Sequence, residues 1–375
     1  MWFAGNAVLG DLQQSWGLSG EALGYVTSSV QLGFIAGTLG FAFFTISDRF
    51  SPRAVFFACA LLAALSNAAV VWLGEGLWSL LGLRFATGFF LAGIYPVGMK
   101  VAAGWYQRGL GNALGLLVGA LVLGTSFPHL LKGLGQVLPW EAVMLAVSAI
   151  AVLGGVLMFA LVPDGPFLAK GAKFDPRALA VVFGTRSFRA SCFGYFGHMW
   201  ELYAFWAFVP FVIGAHAAQG AQALNVSMWA FAIIAAGFLG CAAGGLASLR
   251  VGSAPVAFAQ LAASGACCVL SPILFHAPTP LFLAFLLFWG IVVVGDSPQF
   301  SALNASNAPR ALVGSALTIA NCIGFAITIA SIQLLNSAVV PLGAEWLFLL
   351  LFPGPLLGLA ALAPLLRSAA ERGPA

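Results

Sequence analysis

Long apolar runs, separated by short polar stretches, make up most of this chain. Eleven of the runs reach the roughly 20 residues that an α-helix needs to cross a bilayer. Helices of this kind satisfy their own backbone hydrogen bonds in hydrocarbon, whereas a membrane β-barrel would show short strands of alternating polarity. The pattern predicts an all-α membrane protein with spans near residues 22–45, 54–73, 77–103, 110–131, 138–162, 188–213, 225–248, 254–274, 279–303, 312–336 and 343–366.

The sequence also contains an internal repeat. Residues 93–96 (Gly-Ile-Tyr-Pro) recur 202 positions later at 295–298 (Gly-Asp-Ser-Pro), and Arg108 recurs as Arg310 at the same offset. Internal duplication of a helical membrane bundle is typical of secondary transporters. The two prolines, Pro96 and Pro298, are expected to kink the fourth and tenth spans.

A twelfth apolar run, residues 1–10, is too short to cross a bilayer. The repeat aligns the start of the first helix with Ser187, so about fifteen residues of that helix are expected to be absent. We favour a misassigned start or a truncated chain, and a real half-helix lying in the interface is the alternative. The run has no basic stretch before it and does not resemble a signal peptide.

Composition and charge agree with a membrane location. Only 7% of the residues are charged and 61% are hydrophobic, against roughly 25% charged in a soluble domain. Twelve of the fifteen Lys and Arg residues fall on one predicted face, which the bias of basic residues identifies as cytoplasmic. We expect a multi-pass protein with both termini in the cytoplasm, in a bacterial inner membrane or a eukaryotic membrane. The twelve residues are Arg49, Arg53, Arg108, Lys170, Lys173, Arg177, Arg186, Arg189, Arg250, Arg310, Arg367 and Arg372.

The longest polar stretch separates the two copies of the repeat. It predicts a six-helix bundle at 1–163 with an incomplete first helix, a cytoplasmic linker at 164–186 and a second six-helix bundle at 187–375. Glycines spaced three or four residues apart occur at matching positions of the second and eighth spans and allow close helix packing. We expect those two helices to form the sliding contact between the halves. The glycines are Gly33, Gly37 and Gly40 in one span and Gly237, Gly240 and Gly244 in the other.

The loop after the second span carries a family resemblance. Residues 48–53 (Asp-Arg-Phe-Ser-Pro-Arg) and the second copy at 245–252 (Gly-Leu-Ala-Ser-Leu-Arg-Val-Gly) resemble the loop motif of the major facilitator superfamily. The resemblance implies a 12-helix fold of two six-helix bundles. It also implies that Asp48, Arg49 and Arg53, with Arg250 in the second copy, form a cytoplasmic charge latch. The alternative is a solvated loop that follows the positive-inside rule.

Arg84 is a cation inside the fourth span, where charge costs a few kcal/mol on insertion scales. Residues 84–88 match the Arg-x-x-x-Gly part of a motif in the same superfamily, which implies a role in substrate binding or proton coupling. The position equivalent to Arg84 in the second half is Leu286, so the cation is asymmetric, as expected of a binding group. The alternative is that Arg84 extends to the outer interface.

The seventh span places His198 and Glu201 three residues apart, on one helical face. A buried carboxylate beside an imidazole can take up and release a proton near neutral pH; the alternative is a structural pair that satisfies itself. Asp296, at the kink in the tenth span, is a second intramembrane acid, for which Lys100 is a candidate partner. Asn321 in the eleventh span is a candidate hydrogen-bonding residue for substrate.

These residues favour a secondary active transporter that works by alternating access, with proton coupling through His198, Glu201 or Asp296. Arg84 favours a small organic anion or polar metabolite as substrate, taken up by symport. A proton-coupled exporter of drugs or amphiphiles is the alternative, because buried acids attract cations. We expect a monomer without metal, cofactor or disulfide, since the six cysteines lie within predicted spans. The sequence has no pattern typical of an enzyme or of nucleic-acid binding, and a channel is disfavoured by the internal duplication.

Overall fold

The computed structural model describes residues 1–106, 110–134, 138–168, 175, 183–220, 223–309 and 312–370. Within these ranges all regular secondary structure is helical. The α-helices, numbered α1 to α18 in chain order, are Ala4–Ala7, Leu9–Trp16, Ala22–Phe43, Ile46–Arg49, Pro52–Ala68, Val70–Leu73, Leu77–Leu91, Tyr95–Trp105, Leu110–Leu134, Trp140–Leu161, Arg186–Gln219, Val226–Val251, Ser253–Phe275, Thr279–Gly295, Ser297–Asn307, Val313–Leu342, Ala344–Leu347 and Pro353–Ala370, with a 3₁₀ turn at Phe348–Leu351.

Eleven helical segments in the described ranges are long and apolar enough to cross a membrane, as the hydrophobic pattern predicts. The largest difference is α11, which runs from Arg186 to Gln219 and not from 188 to 213. At 1.5 Å per residue its 34 residues span about 51 Å, more than the roughly 30 Å of hydrocarbon. Its last turns are held by His216, whose ring nitrogens lie 2.8 Å from the Phe275 carbonyl and 3.0 Å from the Thr279 hydroxyl.

The N-terminal run is helical but longer than the predicted residues 1–10. It forms α1 and α2, and ends at Gly17, whose φ of 63° is favourable for glycine. The extension to Trp16 is stabilised because Leu9 and Leu12 are buried in one cluster with Val143 of α10. This burial continues the helix beyond Gly10, where the apolar run in the sequence stops.

At both predicted kinks the structure has a break between two helices. The fourth span divides into α7, ending at Leu91, and α8, starting at Tyr95. The tenth span divides into α14, ending at Gly295, and α15, starting at Ser297. In each case the proline is the second residue of the new helix, where its missing N–H would have no partner in the helix.

The chain divides into two compact units. Unit 1 comprises Met1–Leu110 and Phe127–Phe174, and unit 2 comprises Gly111–Ser126 and Asp175–Ala375. The helix α9 therefore contributes residues to both units. Of the predicted linker, the described residues are 164–168, 175 and 183–186.

Each unit contains the same helix pair held by the same backbone contact. In unit 1, a Cβ on Gly88 of α7 would overlap the carbonyl oxygen of Val30 of α3. In unit 2, a Cβ on Gly290 of α14 would overlap the carbonyl oxygen of Ile233 of α12. The glycines are 202 residues apart, the offset of the sequence repeat, so the duplication extends to backbone packing.

The predicted glycine stripes lie in these same pairs. Gly33 approaches the Phe85 carbonyl of α7 within unit 1, and Gly240 approaches the Ile291 carbonyl of α14 within unit 2. The approach is close because glycine has no side chain, as proposed for small residues in membrane helices. The stripes therefore allow close packing inside each unit, and the sliding contact between the predicted halves stays a prediction.

Candidate functional site

Three ionisable side chains meet inside unit 2. His198 and Glu201 lie on α11, Asp296 lies between α14 and α15, and all three are fully buried. His198 Nδ1 is 2.8 Å from Asp296 Oδ1. Each residue has one nitrogen or oxygen atom that could bind a metal ion, and these three atoms lie within 4.8 Å of one another. We call His198, Glu201 and Asp296 the unit 2 cluster.

The helix break places Asp296 in this cluster. Gly295 allows it, because a Cβ there would overlap the Gln260 side chain and press against the backbone of Gly240. The Asp296 carbonyl accepts a hydrogen bond from Phe300 N at 2.9 Å, which starts α15. The carboxylate therefore stands at the N-terminus of a helix, where the aligned peptide dipoles favour negative charge.

Glu201 is oriented by residues of two other helices. The hydroxyl of Ser264 on α13 donates to Glu201 Oε2 at 2.9 Å, and the Cys268 thiol lies 3.7 Å from the same oxygen. Trp289 Nε1 of α14 donates to Ser264 Oγ at 2.9 Å. Two hydrogen bonds in series, from Trp289 to Ser264 and from Ser264 to Glu201, thus fix the Oε2 atom of Glu201. The other carboxylate oxygen, Oε1, has no hydrogen bond within the described residues.

Several polar atoms of the unit 2 cluster lack a hydrogen-bond partner within the described residues. They include His198 Nε2, Glu201 Oε1 and Asp296 Oδ2. Unpaired polar and charged groups are costly to bury away from water. An arrangement with several such atoms in one place is therefore suited to bind a proton or a cation.

The partners of these residues differ from those that the sequence suggested. His198 and Glu201 were considered as a pair that could satisfy itself, but each takes its partner from another helix: Asp296 for His198 and Ser264 for Glu201. Lys100, considered as a partner for Asp296, donates its Nζ to the Ser47 carbonyl at 2.7 Å. Asp296 comes from a different span and joins His198 and Glu201, so the three residues form a group that could hold a metal ion, which the sequence did not indicate.

Asn321 lies beside the helix that carries the cluster. Its Oδ1 accepts a hydrogen bond from the Tyr195 hydroxyl at 3.2 Å. Tyr195 lies one turn before His198 on α11, and their ring centroids are 6.2 Å apart. The ring centroid of Phe300 lies 5.8 Å from that of His198. Asn321 thus contacts Tyr195, one of the aromatic residues that lie near His198.

Arg84 lies in unit 1 and is fully buried among its residues. Its Nη1 donates to Asn67 Oδ1 at 2.7 Å, and its Nη2 donates to the carbonyl oxygens of Met1 and Trp2. Asn67 in turn donates to Met144 O and Ser148 Oγ at 3.1 and 3.0 Å. The partners of Arg84 are neutral, so its positive charge has no carboxylate partner among the described ion pairs.

The predicted latch residues occupy helix ends. Arg49 ends α4 and is exposed, and Arg250 is exposed in the last turn of α12. Arg53 packs its guanidinium over the Phe159 ring, 5.3 Å from the centroid. The side chain of Asp48 lies outside the described residues, as do Arg108 and Arg310 of the repeat.

An acid that the motif did not indicate, Asp164, contacts this region in unit 1. Its carboxylate accepts hydrogen bonds from Ser51 Oγ at 2.6 Å and from Arg53 N at 3.3 Å. These donors stand at the start of α5, where the backbone N–H groups have no partner within the helix. Asp164 thus caps α5 from the start of the predicted linker.

Sequence reasoning also missed Asn67, Ser264 and Trp289. Asn67 had a usable signal, because it is the only amide in the third predicted span. For Ser264 and Trp289 the sequence contains no signal that distinguishes them from other residues of a membrane helix. Their roles depend on contacts between spans.

Duplicated helix pairs, broken spans and buried charge define a multi-pass membrane protein of the transporter class. The chain belongs to the major facilitator superfamily, since the sequence model of that family matches residues 1–333. This confirms the resemblance seen in the loop motifs, and the family indicates a transporter and not an enzyme. A search of the curated proteins finds no match.

Solved structures of this superfamily share the fold. The human organic anion transporter MFSD10 (TETRAN) is 17% identical, with a TM-score of 0.67, over 96% of this chain and 89% of its own. The E. coli fucose:proton symporter FucP is 16% identical, with a TM-score of 0.65, over 96% and 95%. The proton:xylose symporter XylE, bound to 6-bromo-6-deoxy-D-glucose, is 13% identical, with a TM-score of 0.71, over 98% and 91%. The likeness confirms the predicted 12-helix fold.

Proposed function

We propose that this protein is a proton-coupled secondary transporter that moves a small organic anion by alternating access. The observation that carries the proposal is the unit 2 cluster, in which two carboxylates and an imidazole are fully buried in membrane-spanning helices. Intramembrane ionisable groups are costly and mark ion or substrate pathways. Ser264 on α13 and Trp289 on α14 orient the carboxylate of Glu201 within this cluster.

Arg84 supports an anionic substrate. It keeps a buried positive charge with neutral partners, and one nitrogen, Nε, has no hydrogen bond within the described residues. An arginine can bind a carboxylate through charge-assisted hydrogen bonds. The printed descriptions of similar folds, an organic anion transporter and two proton symporters, are compatible with this class of substrate and coupling ion.

The helix-end residues Asp48, Arg49, Arg53 and Arg250 are proposed to form a cytoplasmic latch. Charged groups at helix ends can exchange partners when helices move. The placement of Arg49 and Arg250 at exposed helix ends supports this role. The same proposal locates both termini in the cytoplasm and the protein, as a monomer, in a cell membrane such as the bacterial inner membrane.

The test is uptake by purified protein in liposomes with an acidic exterior. Labelled mono- and dicarboxylates, sugars and a lipophilic cation are supplied in turn. We expect saturable uptake of a carboxylate that rises with the pH gradient. Uptake that is linear in concentration would contradict a carrier, and preference for the lipophilic cation would favour the exporter alternative.

The substrate assignment is tested with Arg84→Gln and Arg84→Lys. Loss of a charge-assisted hydrogen bond costs about 1.5–3 kcal/mol, so Arg84→Gln should weaken carboxylate binding roughly 10- to 150-fold. Arg84→Lys keeps the charge and should bind at an intermediate level. The control is Lys132→Gln, which removes a cation that pairs with Asp11 at 2.6 Å. If folded Arg84→Gln protein binds the carboxylate normally, the anionic substrate is wrong.

A further inference from the structure

The geometry points to a binding site for a divalent transition-metal ion of the Zn²⁺ type, formed by the unit 2 cluster of His198, Glu201 and Asp296. This inference goes beyond the proposed function, which needs only protons and an organic solute. It uses the positions and chemistry of the three side chains.

The spacing of the three ligand atoms suits one ion. Because each lies within 4.8 Å of the others, a central point exists no more than about 2.8 Å from all three, against 2.0–2.2 Å for ligand distances to Zn²⁺. Side-chain movements of less than about 1 Å would close this difference. The residues come from two separate spans, so the ion would join α11 to the break between α14 and α15.

The charge of the cluster also suits a divalent cation. Two carboxylates with a neutral imidazole carry a formal charge of −2, which a divalent ion would neutralise. In the described part of unit 2, the Lys and Arg side chains whose burial is described are Arg186, Arg189 and Arg250, and all three are exposed. Within those residues, no buried Lys or Arg stands beside the cluster to compete with a bound cation.

The donor types favour a transition metal over Na⁺, Mg²⁺ or Ca²⁺. One imidazole nitrogen with two carboxylates is a mixed N/O set, and imidazole suits Zn²⁺, Cu²⁺, Fe²⁺ and Ni²⁺, whereas the hard cations prefer oxygen alone. Three protein ligands would leave a further coordination position, as in metal sites that exchange their ligands.

The surroundings of Glu201 fit the outer shell of a metal site. Ser264 holds Glu201 Oε2 and is itself held by Trp289, while Glu201 Oε1 is one of the buried atoms without a partner in the described residues. Hydrogen bonds of this kind orient a ligating carboxylate, and their loss typically costs 10- to 100-fold in metal affinity.

The direct test is titration of the purified protein with Zn²⁺ by calorimetry, without any transport substrate. We expect one ion per chain, and at least tenfold weaker binding in His198→Ala, Glu201→Gln and Asp296→Asn. Ser264→Ala keeps all three ligands and should lose roughly 10- to 100-fold in affinity, so it tests the site if a ligand variant fails to fold. Each variant is compared with wild type by gel filtration first.

The matched control is the pair of His276, which is exposed, and Glu345, which is half-buried; their Nε2 and Oε2 atoms are 2.8 Å apart. The double variant His276→Ala, Glu345→Gln should keep the Zn²⁺ site. Co²⁺ then reports the ligand type by its visible absorption, because six free cysteines offer thiolates that would add charge-transfer bands. We expect spectra of nitrogen and oxygen ligation without those bands.

The inference is overturned if wild type binds no Zn²⁺, if folded Asp296→Asn and Glu201→Gln bind it as wild type does, or if Co²⁺ shows thiolate ligation. Failure of the metal site and failure of the proposed function are distinguishable. Loss of pH-driven uptake in Asp296→Asn with no Zn²⁺ binding in wild type would retain the function and remove the metal site.

Discussion

Arg84 and Asn67 illustrate how a buried charge is held in this protein. The asparagine accepts from the guanidinium and donates to Met144 and Ser148 of α10, so one amide links three helices. An amide can do this because it has both donors and an acceptor. The same contacts keep Arg84 in a fixed orientation inside unit 1.

Replacement of Asn67 by Leu should therefore destabilise the protein. It removes the acceptor for Arg84 Nη1 and leaves a buried charged donor unpaired, at a cost of about 1–3 kcal/mol or more. The measurement is thermal unfolding in detergent, in which we expect a lower Tm. Ser66→Ala is the control, because the Ser66 hydroxyl donates to the Leu62 carbonyl of its own helix, and loss of this exposed hydrogen bond should change the Tm little.

Sequence reasoning found the ionisable residues but not their partners. Because a charged side chain is costly to bury in hydrocarbon, Arg84, Glu201 and Asp296 stand out in the apolar spans. The pairing of His198 with Asp296 could not be predicted, because the two residues are 98 positions apart and their contact depends on how α11 packs against the break after Gly295. Helical periodicity reports neighbours within one helix only.

The paired helices α3 with α7 and α12 with α14 are the elements that the duplication preserves. Gly88 and Gly290 permit the same close backbone approach in each pair. Close packing of glycine-rich helices was predictable, because the glycine spacing within one helix is a local pattern, but the pairing of α3 with α7 and of α12 with α14 was not. The positions of the helix breaks were also predictable, since proline acts on its own turn.

Gly88→Ala should consequently weaken unit 1. A methyl group there would overlap the Val30 carbonyl and force α3 and α7 apart, a packing change that typically costs about 1–3 kcal/mol. Gly82→Ala lies on the same helix, and its methyl group would meet no described atom within 4 Å. Alanine is the better helix former by about 1 kcal/mol, so Gly82→Ala should keep or raise the Tm while Gly88→Ala lowers it. Equal Tm values for the two variants would contradict the packing role.

The orientation of the whole chain in the membrane is predicted from charge alone. Basic residues in short loops favour the cytoplasm, so Arg250 should lie on that face and Glu345 on the opposite one. To test this orientation, a cysteine is introduced at position 250 or at position 345, and intact cells are labelled with an impermeant thiol reagent. We expect labelling from outside at position 345 but not at 250, with the parent protein as background control, and the reverse pattern would invert the topology.

The central proposal for this transporter is proton coupling through the unit 2 cluster. One measurement tests it directly. Substrate exchange at equal pH is compared with accumulation driven by a pH gradient, in liposomes, for wild type, Asp296→Asn and the surface control Glu345→Gln. We predict that wild type and Glu345→Gln show both activities, while Asp296→Asn retains exchange and loses accumulation. Accumulation by Asp296→Asn equal to wild type, or no response of wild type to the gradient, would contradict the claim.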